Sequence, residues 1–229
     1  MAEGINMDSV LPFASEVDEE EISLRDDGVL TSLCLICASL VHVVSPERDG
    51  SVNTAIHQTF NLASHLKGNS SILLETYLRH QGSPFTDKDF HIQGLNYDGV
   101  PVAAISFLEW RILSDLDRLD KNYKAYSIIS EFLQLVWDDQ FELNPTKDGL
   151  LNMLKYTQMQ VQGLVNNLTI IISALRAPPS PVTDPLTLEL VKTNTFEKKV
   201  RGYVVCSTYK QWIDRTVRDF NLLVKKYPL

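Results

Sequence analysis

Residues 150–175 read LLNMLKYTQMQVQGLVNNLTIIISAL. Within this stretch Leu150, Leu154, Thr157, Val161, Leu164, Leu168, Ile171 and Leu175 recur at alternating steps of four and three. That spacing lines one face of an α-helix and cannot line one face of a strand. Gly163 interrupts the run at a cost of about 1 kcal/mol against Ala, so packing around it is expected to compensate. The helix is predicted over about 146–175.

The same period continues on both sides. Upstream, residues 52–80 place Ile56, Phe60, Ala63, Leu66, Leu73 and Tyr77 on one stripe, ended by Gly82-Ser83-Pro84. Residues 114–138 align Leu116, Leu119, Tyr123, Tyr126, Ile129, Leu133 and Val136, with Asp138-Asp139 read as a solvated helix end. Downstream, a fourth helix over 195–227 opens with Asn194-Thr195-Phe196-Glu197, an N-cap followed by an acid at the third position. No period-two run competes, so the class is all-α. The connections differ: about thirty residues (82–113), then a short link (139–145), then a proline-rich gap (177–193) containing Pro178, Pro179, Pro181 and Pro185. Helices of about 25 to 30 residues are roughly 40 Å long, so a short link forces antiparallel neighbours while a long one can return the chain along the bundle. Long–short–long predicts a long-chain four-helix bundle, up-up-down-down, with two crossover loops.

The chain has 229 residues, 44% of them hydrophobic and 22% charged, with a net charge of −8. This is enough for one substantial core and excludes collagen-like, low-complexity and multi-span membrane classes. The charge is concentrated: residues 1–28 carry nine acids against Arg25 alone, which leaves 20 acids and 20 bases in the remainder. A neutral body lacks the electrostatic footprint of a nucleic-acid partner. Three regions follow: an acidic, disordered leader (1–28), an apolar segment (29–45) and the helical domain (46–229). The apolar segment, VLTSLCLICASLVHVV over 29–44, is short for a bilayer span, so no stable membrane insertion is expected. It has the size of a secretory signal, although its leader is acidic where a signal is basic; a buried segment of the fold is the alternative. Two sequons, at Asn69 and Asn167, are glycosylation candidates.

Chemistry-bearing constellations are lacking. Cys34 and Cys37 lie in the apolar run without a βαβ context, and Cys206 stands alone. His42, His57, His65, His80 and His91 show no tight ligand spacing, so no metal is expected. Nucleotide and nucleophile-elbow motifs are absent from the sequence. Neither catalysis nor a cofactor is expected.

The last helix carries the most information. At about 100° per residue, Cys206, Tyr209, Ile213, Thr216, Val217, Phe220 and Val224 form a core stripe. Trp212, Arg215 and Asp219 fall beside it. An indole, a guanidinium and a carboxylate on a bordering face have the composition of an interface hot spot. The alternative is Trp212 packed under a crossover loop, with Arg215 and Asp219 a solvated pair. Phe196 lies off the stripe in the first turn, followed by Lys198 and Lys199 where the helix dipole disfavours positive charge. This reads either as a partner surface or as a Phe covered by the preceding loop.

Phe196-Glu197-Lys198-Lys199 and Gln211-Trp212-Ile213-Asp214-Arg215-Thr216-Val217-Arg218-Asp219-Phe220-Asn221-Leu222 resemble the ciliary neurotrophic factor and cardiotrophin-like cytokine branch of the interleukin-6 family. The resemblance extends upstream through Glu75-Thr76-Tyr77-Leu78-Arg79-His80-Gln81-Gly82, Ser83-Pro84-Phe85, Asp89-Phe90, Asp98-Gly99-Val100-Pro101-Val102 and Leu119-Asp120-Lys121-Asn122-Tyr123-Lys124-Ala125-Tyr126. It implies a secreted cytokine that assembles receptors, activates JAK-STAT signalling and acts as a neurotrophic-type growth or survival factor. The resemblance assigns Phe196 and Lys199 to the leukemia inhibitory factor receptor, and Trp110, Arg215 and Asp219 to a non-signalling alpha receptor. A glycoprotein-130 type transducer is implied to contact the first and third helices, and a soluble receptor-like secretion partner is a further implied possibility. An intracellular helical scaffold and a lipid-binding bundle are the rival readings.

Overall fold

All four periodic stretches are helices in the computed structural model, which describes residues 48–87, 90 and 96–229. The long helices are α1 (Arg48–Gln81), α3 (Asp115–Leu143), α4 (Asp148–Ala174) and α6 (Thr195–Lys226). Two short ones lie in the long connections, α2 (Phe107–Ile112) and α5 (Leu188–Val191). No strand occurs among the described residues. The expected leader and apolar segment, 1–28 and 29–45, lie outside them, as do Cys34, Cys37, His42 and His91.

Local chemistry sets the ends. Gly82 adopts φ 74° and stops α1 in the left-handed conformation that glycine adopts without strain. Ser114 Oγ accepts from the Asp117 amide at 3.1 Å to start α3. The Asn194 side chain accepts from the Glu197 amide at 2.9 Å to start α6, as the sequence predicts. The periodic analysis did not anticipate α2. Its start is a capping box in which Ser106 and Glu109 exchange hydrogen bonds.

α1 packs on α4 and α6, and α3 packs on the same two. The start of α1 meets the end of α6, where Asn53 Nδ2 donates to the Pro228 carbonyl at 2.7 Å. The end of α1 meets the start of α6, where Tyr77 Oη donates to the Lys199 carbonyl at 3.0 Å. α3 meets α6 with the same sense, through Arg118 with Asp219 at one end and Asp139 with Arg201 at the other. Both α1 and α3 therefore run antiparallel to α6. Most of the predicted stripes form the core: Ile56, Leu66, Leu73, Tyr77, Leu119, Ile129, Leu133, Leu154, Val161, Leu164 and Leu168 are buried, while Phe60, Tyr123 and Leu175 are half-buried and Leu116 at the start of α3 is exposed.

Two expectations are corrected. α3 runs on to Leu143, so Asp139 lies inside the helix and is buried rather than a solvated end. The buried face of α6 is also wider than its predicted stripe. Trp212, Arg215, Asp219 and Leu223 are buried with it, while Val217 and Val224 are only half-buried. The long first connection covers that flank, and periodicity within one helix cannot register it.

Candidate functional site

The far end of α6 binds a segment of its own chain. Trp212 Nε1 donates to the Pro101 carbonyl at 2.9 Å. One turn on, Arg215 Nη1 donates to the Ala103 carbonyl at 3.2 Å. Another turn on, Asp219 Oδ1 accepts from Trp110 Nε1 at 2.7 Å. Residues 212, 215 and 219 share one helix face, so the loop is held along it rung by rung. Trp110, Arg215 and Asp219 are thus brought together as the sequence analysis grouped them, with both polar members beneath the loop. Arg215 and Asp219 are neither solvated nor, in the free chain, surface groups.

Asp219 is the centre of a buried polar network. Besides Trp110 it accepts from Arg118 Nη1 at 2.7 Å and from Asn122 Nδ2 at 2.8 Å. Thr216 donates to Asn122 and hydrogen-bonds Tyr126 Oη at 2.6 Å. Arg215 approaches the carboxylate only to 3.8 Å through Nε, and its Cζ lies 4.6 Å from the centroid of the Trp212 ring. Among the described residues its Nε and Nη2 have no hydrogen-bond partner. Desolvation pushes the Arg215 guanidinium below its usual pKa, with Asp219 opposing. Arg118 and Asn122 were missed in the sequence. The signal was present, since both stand one or two turns ahead of Tyr126 at stripe positions of α3, where a polar residue needs a buried partner.

Because α6 fixes its inner edge, the loop turns apolar side chains outward. Phe107, Leu108 and Ile112 of α2 are 69%, 74% and 81% exposed. With Val102 and half-buried Trp110 they form an exposed apolar group on the surface.

At the start of α6, Phe196 is 56% exposed. Its ring lies 5.9 Å from Phe85, which is 4.9 Å from Phe90, which in turn is 5.4 Å from Tyr203. Phe196 is therefore seated on the loop after α1 yet remains open on its outer side. The lysines the helix dipole disfavours are compensated across the bundle. Lys199 Nζ donates to the Gln81 carbonyl at 2.6 Å, the negative end of α1. Lys198 pairs with Glu142 near the end of α3. Beneath them Arg201, fully buried, donates to Asp139 Oδ2 through Nε and Nη2 at 3.0 and 2.6 Å. Its Nη1 donates to the Leu190 carbonyl and reaches Tyr97 Oη at 3.4 Å, tying both long connections to α3. Desolvation raises the Asp139 carboxyl above its ordinary pKa although Arg201 pulls it down.

The remaining candidates are quickly placed. Asn69 lies within α1 and Asn167 within α4, both half-buried. Ile72 on α1 and Tyr156, Met159 and Ile170 on α4 are exposed apolar residues that the stripe analysis did not single out. Among the described residues no cluster of His, Cys, Asp and Glu could hold a metal, and no helix is long and apolar enough to cross a membrane.

Comparison of the sequence with known proteins places it in a group. The family described as plethodontid receptivity factor matches residues 28–228. Cardiotrophin-2 of Mus musculus is 41% identical over 197 residues, covering 86% of this chain and 96% of that protein. Cardiotrophin-1 of Mus musculus is 33% identical over 175 residues, 74% of this chain and 85% of the relative. Ciliary neurotrophic factor of Sus scrofa is 28% identical over 165 residues, 71% and 78% of the two chains.

Proposed function

The chain belongs to the plethodontid receptivity factor family and to the ciliary neurotrophic factor and cardiotrophin branch of the interleukin-6 cytokines, and from that premise we propose that it is a secreted growth or survival factor that assembles cell-surface receptors and so activates JAK-STAT signalling. Physically, a rigid bundle with separate patches raises the effective concentration of one receptor chain near another. The end-to-end contacts of α1 and α3 with α6 support an up-up-down-down run of the long helices.

Phe196 carries this reading: a large aromatic, more than half exposed, is held on an aromatic seat beside Lys199. We assign Phe196 and Lys199 to the leukemia inhibitory factor receptor. The alpha-receptor surface is the outward group of Trp110, Phe107, Leu108 and Ile112, with Arg215 and Asp219 as the footing that fixes it. The glycoprotein-130 type transducer takes exposed faces of α1 and α4, where Ile72, Tyr156, Met159 and Ile170 stand in solvent.

Phe196→Ala and Lys199→Ala test the assignment. Each is expected to abolish receptor-dependent STAT phosphorylation in responsive cells, with alpha-receptor affinity and helicity unchanged. Full signalling by both variants overturns it. Export is tested on protein recovered from the medium of expressing animal cells. A start near residues 40–46 with added glycan mass fits a cleaved signal and use of Asn69 or Asn167. Full-length protein found only inside cells means unconventional release, or a cytokine reading that then rests on direct receptor binding.

A further inference from the structure

The end of α1 and the turn after it touch both members of the Phe196–Lys199 pair, through different chemistry. Tyr77, fully buried, donates its hydroxyl to the Lys199 carbonyl at 3.0 Å. Lys199 Nζ donates back to the Gln81 carbonyl at 2.6 Å, so the two helix ends are cross-tied. The Tyr77 oxygen in turn accepts from Gln140 Nε2 at 3.3 Å, and Gln140 is held by Gln81 and Asn144. This closeness depends on Gly202, where a Cβ would lie 2.1 Å from Tyr77 Oη. Independently, Phe85 is only 3% exposed and lies between Phe90 and Phe196.

We propose that Tyr77 and Phe85 are positioning residues for receptor recognition: Tyr77 acts through Lys199, and Phe85 acts through Phe196. The inference rests on the reading of Phe196 and Lys199 as receptor contacts. Neither Tyr77 nor Phe85 is on the surface, so each acts on a partner only through its neighbour. A free lysine samples many rotamers, and ordering it on binding weakens association. In this chain the Lys199 stem already spans from α6 to α1, and the Phe196 ring already rests on a buried ring. Binding then starts from side chains close to one arrangement.

Double-mutant cycles on binding to the immobilised leukemia inhibitory factor receptor ectodomain test this directly. Tyr77→Phe deletes one hydroxyl and Phe85→Leu deletes one ring. Each is expected to weaken binding by about threefold to tenfold, the size of a coupling between touching residues. At receptor densities high enough to register the residual binding of the two contact variants, Tyr77→Phe should lose that effect in a Lys199→Ala background and keep it in Phe196→Ala. Phe85→Leu should behave in the opposite way. Alpha-receptor affinity and circular dichroism serve as controls, since general unfolding would move both receptors together. Additive effects within each touching pair overturn the positioning roles, as does unchanged receptor affinity in both single variants. If Lys199→Ala and Phe196→Ala themselves bind normally, the receptor assignment fails first, a result distinct from additivity.

Discussion

Asp139 of α3 and Arg201 of α6 close a buried ion pair at 2.6 Å. At the opposite end of the same two helices the charges are exchanged, with Arg118 on α3 meeting Asp219 on α6 at 2.7 Å. This reciprocity fixes direction and register together. Reversing α6 would bring its Arg201 to Arg118 and its Asp219 to Asp139, two buried like-charge pairs. Sliding it by one turn would separate both pairs. Each pair also anchors crossover loops: Arg201 holds the Leu190 carbonyl and Tyr97, and Asp219 holds Trp110. The surface assigned to the alpha receptor is the outer face of the loop that the second pair holds down.

Arg201→Met should give a pH-dependent loss of stability. Removing one partner of a buried pair costs about 3–5 kcal/mol near neutrality. Asp139 loses its bidentate partner and keeps only Lys198, at 4.0 Å, against the desolvation that already raises its pKa. Its folded pKa then stands well above the unfolded value of about 3.9. Below that value both states hold the proton and the ionic penalty vanishes. As pH rises, the unfolded chain ionises first and stability falls until the folded pKa is passed. Urea denaturation from pH 4 to 7 should show a deficit against the parent chain that widens with pH. A deficit constant over that range contradicts the assignment.

Asp219 and Arg215 should respond unequally. Asp219→Asn leaves Arg118 and Arg215 buried against a neutral group and should cost about 3–5 kcal/mol. Arg215→Met removes the guanidinium that reaches Asp219 only at 3.8 Å and has two buried nitrogens without partners. Arg118, Asn122 and Trp110 still satisfy the carboxylate, and the lost bond to the Ala103 carbonyl is offset in part by removing two unpaired nitrogens, so the cost should stay at about 1–2 kcal/mol, below that of Asp219→Asn. Denaturant midpoints decide the stability order, and equal losses would refute it. Alpha-receptor affinity of the stable Arg215→Met variant then reports whether fixing the Ala103 carbonyl shapes the recognition surface.

What the sequence revealed and what it hid have one physical cause. Leu150 to Leu175 announces its helix because every member of the pattern lies within one element. Asn194 announces its cap for the same reason. Asp139 was misread as a solvated end because its partner, Arg201, lies 62 residues away. The inward turn of Trp212, Arg215 and Asp219 depends on the loop at Pro101–Trp110, which no periodicity within α6 can report. The resemblance grouped Arg215 and Asp219 from a matching string and Trp110 from its place in the long first loop, and the structure supplies the hydrogen bond that joins Trp110 to Asp219. The lysines at the start of α6 stood out as electrostatically misplaced. Their compensation by Gln81 and Glu142 becomes visible only once the ends of α1 and α3 are beside them.

Two helical glycines should respond oppositely to alanine. At Gly163 an added Cβ would meet only Leu62 Cδ2 at 4.0 Å, an ordinary contact. The packing compensation expected from the sequence is therefore not a close helix approach, and Gly163→Ala should stabilise by about 0.5–1 kcal/mol through helix propensity. At Gly202 the Cβ would lie 2.1 Å from buried Tyr77 Oη and 2.3 Å from Cζ. Gly202→Ala must push α6 from α1 or displace the ring, an overpacking cost of about 1–3 kcal/mol that outweighs the propensity gain. Thermal denaturation of the two variants should move in opposite directions. Stabilisation by both would mean that Tyr77 yields freely and does not hold the helix ends together.

Alkaline pH should destabilise the bundle from a specific point in the core. Cys206 is fully buried on α6, and desolvation pushes its thiol up to about 12. In the unfolded chain the thiol titrates at about 8.5. Below that value both states keep the proton and stability is unaffected. Between the two values the unfolded chain loses its proton while the folded chain retains it. Stability then falls by about 1.4 kcal/mol per pH unit for this group. Tyr77, Tyr126 and Tyr209, all raised by burial, add their share only above about 10, where unfolded tyrosines ionise. The difference between the parent chain and Cys206→Ala isolates the thiol. Urea denaturation should give the parent a steeper fall than the variant between pH 8.5 and 10, and parallel slopes above the thiol's folded value. Equal slopes between pH 8.5 and 10 would show that the Cys206 thiol ionises inside the folded bundle, and would overturn its place in a dry core.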